Sequence, residues 1–268
     1  MNRSRIALLL VALPALLSLG ACVGPQPGGS LARMERPVSE MPVASEARRK
    51  AKVHVELGQA YFQVARYGVA LDEAKAAISY DAGYAPAYQL MGLVHMFLEE
   101  NQIADANFAH ALSLAPGDPE LQNSYGWFLC STGKEAAGIE MLQAAARNPY
   151  YQTPTRAHAN AGLCHLRLNN DAAAERAFLR AVELDNGNHQ AVFHLAGIAY
   201  RRGAYEAAKR YVVALNQAGE PTAESLWLAI RIERRLGDRA AEASLVQQLR
   251  RRFPGSPEYQ AFLQGQYQ

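Results

Sequence analysis

Three cysteines carry the most reactive side chains in this 268-residue sequence, and each sits in its own setting. Cys22 follows Leu19-Gly20-Ala21 and an apolar run from Ile6 to Leu19, with Arg3 and Arg5 ahead of it. The run is too short to span a bilayer comfortably and has the flanks of a signal peptide. Small residues before the cysteine let a membrane peptidase reach the backbone. The thiol then accepts a diacylglyceryl group, and the freed amine is acylated. The stretch looks like a bacterial lipobox, which predicts a lipoprotein signal peptide over 1–21 and lipidation at Cys22. A plain secretory signal with a chance cysteine is the blander alternative. Several acyl chains anchor firmly where one is marginal.

Other candidate chemistry is sparse. The seven histidines, among them His54, His95, His110 and His158, are scattered rather than paired at metal-ligand spacing. His95 and His165 occupy equivalent helix positions where a packed core histidine is the simpler reading than a ligand. No phosphate-binding glycine loop or nucleophile elbow occurs. Acid pairs such as Asp72-Glu73 and Glu99-Glu100 read as exposed helix positions. The expectation is a protein that is not an enzyme, without metal, without a small-molecule substrate, and without any cofactor beyond the covalent lipid on Cys22.

The elements that position these residues follow a repeat. Tyr88, Gly92, Ala104, Phe108, Ala111 and Pro116 fall at offsets 4, 8, 20, 24, 27 and 32 of a window beginning at residue 85. These are the positions at which the 34-residue tetratricopeptide pattern wants an aromatic, a glycine, an alanine, an aromatic, an alanine and a proline. The pattern recurs in both directions, giving about six helix-turn-helix repeats at 51–84, 85–118, 119–154, 155–188, 189–222 and 223–254. The third carries two extra residues within Asn148-Pro149-Tyr150-Tyr151-Gln152-Thr153-Pro154, and the sixth is the most divergent. The fold expected is all-α, a tetratricopeptide-repeat superhelix that is lipid-anchored. One helix pair cannot bury its own apolar face, so stacking supplies the core. Residues 22–50, with Pro25, Pro27, Gly28, Gly29, Pro37 and Pro42, are expected as a flexible tether behind the acylated cysteine, turning helical near Ala44. Residues 255–268 are expected to cap the last repeat.

In this register Cys130 and Cys164 lie at offsets 12 and 10 of neighbouring first helices. Helices packed side by side bring such thiols within disulfide reach, and an oxidising compartment favours the bond. Two lone cysteines serving as small apolar fillers is the competing reading. Offsets 2, 5, 9, 12 and 13 of the first helices line the inner surface of such solenoids. They select Phe62, Leu93, Met96, Phe97, Trp127, Leu163, Leu166, Phe193, Tyr200 and Trp227, with Arg167, Arg201 and Arg235 in a ladder at offset 13. Aromatic anchors rimmed by arginine suit an extended or helical peptide. Inter-repeat core is the alternative for several of the aromatics.

Charge narrows the partner classes. Without residues 1–21 the 27 basic side chains lose Arg3 and Arg5, leaving 25 against 25 acidic ones. A neutral chain lacks the footprint of a nucleic-acid binder. The distribution is uneven: residues 51–118 hold three basic and eight acidic groups, residues 223–254 seven basic and four acidic.

The lipobox, the tether and the repeats together resemble the type IV pilus biogenesis and stability lipoproteins of the PilW/PilF type. The stretches carrying the resemblance are Asn123-Ser124-Tyr125-Gly126-Trp127-Phe128-Leu129-Cys130, Asn160-Ala161-Gly162-Leu163-Cys164 and Arg252-Phe253-Pro254-Gly255-Ser256-Pro257-Glu258-Tyr259-Gln260. The resemblance implies a pilotin: a lipoprotein that binds the pilus secretin subunit and promotes its outer-membrane localisation and assembly into a ring. By this resemblance the secretin-binding surface falls in the early repeats, roughly residues 51–154. Val23, which is not aspartate, implies by likeness to Gram-negative lipoproteins a place on the inner leaflet of the outer membrane, facing the periplasm. The alternative is a repeat-scaffold lipoprotein for another envelope assembly machine, serving cell-wall or outer-membrane protein assembly.

Overall fold

The backbone is punctuated by one left-handed residue per repeat: Ala65, Glu99, Gly133, Asn169, Gly203 and Gly237, with φ between 55° and 84°. Each sits at offset 15 and ends a first helix. The next N–H bonds back to a carbonyl five residues earlier, as Arg66 to Tyr61 and Glu100 to His95, both at 2.9 Å. This closure satisfies the carbonyls orphaned at a helix end and reverses the chain.

The computed structural model describes residues 34–267. Cys22 and the expected signal peptide lie outside the described residues. Thirteen α-helices run among those described. Six antiparallel pairs come first: α1 (Glu46–Gln63) with α2 (Tyr67–Tyr80), α3 (Ala85–Phe97) with α4 (Asn101–Leu114), and α5 (Pro119–Ser131) with α6 (Glu135–Arg147). Then follow α7 (Pro154–Arg167) with α8 (Asp171–Leu184), α9 (His189–Arg201) with α10 (Tyr205–Ala218), and α11 (Ala223–Leu236) with α12 (Arg239–Arg252). The last is α13 (Pro257–Leu263). No described helix is long and apolar enough to cross a membrane.

Close approach within a pair depends on missing side-chain volume. A Cβ on Gly92 would stand 2.9 Å from the Phe108 ring, and one on Gly162 would stand 2.6 Å from that of Phe178. Both rings are fully buried, each worth about 2–3 kcal/mol of apolar burial. Alanines such as Ala70, Ala104 and Ala181, also with no exposure, let the second helices approach. Start signals are local. Asp118 accepts the N–H groups of Glu120 and Leu121, while Thr222 and Ser225 cap α11 reciprocally.

Both ends differ from their sequence reading or add to it. The expected tether of 22–50 is not free along its second half. The Val38 N–H donates to Asp118 at 2.7 Å, the Glu35 N–H to the Gly117 carbonyl, and Asn148 holds the Glu35 carbonyl. Pro37 is buried, and Val38 packs into two of the repeat cores. Residues 35–41 therefore strap the inter-repeat loops, and α1 begins at Glu46 on the Ser45 cap. The physical reason is that the loops of stacked repeats present buried acceptors and donors that a passing extended chain satisfies. At the other end α13 lays Tyr259 and Phe262 on Leu226, Ile230 and Leu249, covering the apolar face of the sixth repeat.

Candidate protein-interaction groove

The first helices carry one face on which the inward offsets line up, and two clefts open on it. Towards the early repeats, Met96, Phe97, Asn101, Trp127, Ser131 and Thr132 line a cleft of about 510 Å³. Phe97 is 55% exposed although its ring packs edge-on against Phe62 at 5.1 Å and beside Tyr67 at 6.1 Å. Phe62 and Tyr67 are half-buried against a repeat core, so Phe97 is the member of the trio that faces solvent. Arg167 lies 5.9 Å over the half-buried Trp127, joining the first rung of the arginine ladder to the aromatics.

The second cleft, of about 630 Å³, lies at the late repeats and is framed by Tyr200, Arg231, Arg234, Arg235, Arg239 and Tyr267. Arg234 sits 3.9 Å over the Tyr267 ring, and Arg235 5.7 Å over that of Tyr205. Between the clefts Arg201 forks onto both oxygens of Asp171 at 2.7 and 3.0 Å, and its hydrogen bonds hold that carboxyl below the usual range.

The remaining expected residues divide. Leu93, Leu163, Leu166 and Phe193 are half-buried and pack against the cores between repeats. Phe193 also edges a pocket of about 230 Å³ with His189 and Asn216. Trp227 is a correction: at 8% exposure it is closed off by the C-terminal segment, whose Tyr267 ring stands 5.3 Å away. The inward offset places it on the right face, but the chain end takes the space a ligand would fill.

Offset 17, the first residue of each second helix, escaped sequence reasoning. It supplies Tyr67, Asn101, Asp171, Tyr205 and Arg239, which the intra-repeat turn folds onto the inward face. Arg231 and Arg234, at offsets 9 and 12, were within reach of the same rule had it been applied to charged residues as well as apolar ones.

Cys130 and Cys164 are joined by a disulfide between α5 and α7, with Cα atoms 5.6 Å apart, inside a core that includes Leu142 and Ala161. Three of the histidines pack or pair within the repeats. His54 and His95 each bond a carboxylate, Glu73 and Glu100 respectively, at 2.6 and 2.5 Å. His194 stacks on Phe178. No cluster of three metal-ligating side chains occurs among the described residues. The face offers aromatic surface and guanidinium forks.

Successive antiparallel helix pairs, stacked in chain order with a glycine against a ring inside the pairs, define a tetratricopeptide-repeat fold. The tetratricopeptide repeat family matches residues 85–118 and 155–188. Over 209 residues the chain is 28% identical to the type IV pilus assembly protein PilF of Pseudomonas aeruginosa, covering 78% of this chain and 83% of the relative. The solved structure of Pseudomonas aeruginosa PilF superposes with a TM-score of 0.75 at 27% identity, over 82% of this chain and all of that one. The structure of PilW, a widely conserved type IV pilus biogenesis factor, gives 0.74 at 27% identity, over 80% of this chain and 98% of that one. The fold is that of tetratricopeptide-repeat proteins, and over most of its length the chain is similar to PilF and PilW.

Proposed function

We propose that this protein is a pilotin for type IV pilus biogenesis: a lipoprotein, anchored through Cys22 to the inner leaflet of the outer membrane, that binds the pilus secretin and promotes its localisation and multimerisation. The observation that carries the reading is the similarity to a pilus assembly protein and a pilus biogenesis factor across the repeats rather than in one of them. The lipobox supports the anchor, and the exposed Phe97, packed on the half-buried Phe62 and Tyr67, supports a protein partner at the early repeats.

Mechanistically, the anchor supplies the address and the solenoid supplies the grip. Tethering raises the effective concentration of groove and partner, so the contact itself need not be tight. The groove residues Phe62, Leu93, Met96, Phe97 and Trp127 form the apolar side of that contact. Arg167, Arg201 and Arg235 form its cationic side.

Deletion of the gene tests the reading. The expected result is loss of twitching and of heat-stable secretin multimers while secretin monomer is still made. Normal pili and normal multimers in the deletion strain refute it. Replacing Cys22 with serine should mislocalise the protein and reproduce part of that defect.

A further inference from the structure

The repeats vary one position in a directional way. Offset 13 is Gln63, Phe97 and Ser131 in the first three repeats, and Arg167, Arg201 and Arg235 in the last three. At the late end Arg231, Arg234 and Arg239 join Arg235 around one cleft, and no acid lines that cleft among the described residues. Glu242 alone pairs with both Arg234 at 2.9 Å and Arg239 at 3.1 Å, so one carboxylate serves two guanidiniums. The middle rung, Arg201, forks onto Asp171 in an ion pair that is exposed to solvent, where salt screens it and another carboxylate can compete.

We propose that repeats four to six form a receptor for the carboxylates of an acidic peptide segment, which lies along the inward face with its apolar part on the early repeats. The guanidinium fork of Arg235 matches a carboxylate with two parallel hydrogen bonds, and the rings of Tyr200, Tyr205 and Tyr267 hold the forks in place. Three rungs one repeat apart suit charges spaced along a chain better than a single compact anion. A lipid headgroup is the rival source of negative charge. Tyr200 and Tyr267 line the cleft beside the guanidiniums, giving a peptide's apolar side chains a contact that a headgroup lacks. The early repeats carry eight acidic and three basic groups between residues 51 and 118, so they repel the same carboxylates and fix the direction of the segment. The inference rests on the groove assigned above to the secretin and adds the chemistry of the segment that fits it.

Titration of the purified full-length protein with a fluorescently labelled Asp/Glu-rich peptide carrying two aromatic residues, followed by anisotropy, tests it. Saturable binding is expected, falling steeply with salt, and none is expected for the counterpart with lysine at every acidic position. Arg235→Glu with Arg239→Glu should weaken binding at least about tenfold. Arg235→Ala alone should weaken it less while leaving circular dichroism and thermal midpoint unchanged. Equal affinity for the two peptides, or an unaltered affinity in both variants, overturns the proposal. Binding of anionic phospholipid vesicles that displaces the peptide and is lost in the same variants overturns it too, assigning the cleft to headgroups. The titration needs no secretin, so absence of peptide binding together with loss of pili in the deletion strain sinks this inference alone. Normal pili in the deletion strain with peptide binding intact sink only the pilus reading.

Discussion

The Tyr267 ring lies 5.3 Å from that of Trp227, so the protein's own C-terminal segment closes the last aromatic of the inward face. Phe262 and Tyr259 complete the cover. Removing the cover should expose the indole. In a Trp127→Phe background, Tyr267→Ala should shift tryptophan emission to the red and lower stability by about 2 kcal/mol, roughly half the cost of truncating a fully buried aromatic. An unshifted spectrum would show that Tyr267 is not what shields Trp227.

The disulfide between Cys130 and Cys164 closes a loop across a separation of 34 residues. In the chain-entropy account a loop of that length is worth about 3–4 kcal/mol through the unfolded state. Reduction, or Cys130→Ala with Cys164→Ala, should lower the denaturation midpoint accordingly while leaving helix content unchanged. The unreduced protein should present neither thiol to an alkylating reagent after unfolding. Two alkylated cysteines from oxidised envelope extracts would contradict it.

Ala65 and Glu99 occupy left-handed backbone, at φ of 57° and 60°, where three other repeats use glycine. Glycine adopts that region without steric penalty. Ala65→Gly and Glu99→Gly should therefore each stabilise by about 0.5–1 kcal/mol despite loosening the unfolded chain. Gly203→Ala, at φ 78°, should destabilise by a similar amount. Chemical denaturation of the three variants reads the sign directly.

His158, His165 and His194 are each held below the usual imidazole pKa, first by burial and then by a neighbouring arginine: Arg180, Arg176 and Arg201. The folded state therefore favours their neutral forms. Below the unfolded value of about 6.5 the unfolded chain binds more protons, so stability falls as pH drops through that value. A thermal midpoint declining from pH 7 to 5 is expected. His194→Phe, which keeps the stack on Phe178, should flatten the slope. A midpoint constant across that range would dismiss the effect.

The repeat register was legible because it rests on local chemistry. A glycine or alanine must stand where a ring crosses, as Gly162 does against Phe178, and such demands recur every 34 residues. The inward offsets likewise brought Met96, Phe97 and Trp127 to one cleft and Tyr200 and Arg235 to another. Offset 17 was illegible. Its side chains reach the groove only because the turn at offset 15 folds the second helix back, and residues as unlike as Tyr67, Asn101, Asp171 and Arg239 share no chemistry that would mark the position.

The sequence by itself determined the helix pairs, their number and the face each first helix turns inward, since spacing, turn residues and side-chain volume act within one repeat or between neighbours. Tertiary structure alone decided what covers what. Asp118 and Asn148 capture residues 35–41 from the segment that reads as a tether, and Tyr267 captures Trp227 from the groove. Those contacts join residues 40 to 113 positions apart, and nothing in the composition of either partner specifies the other. They form because stacking first builds a surface with buried polar groups and an open apolar end, and the nearest free chain segments then satisfy it.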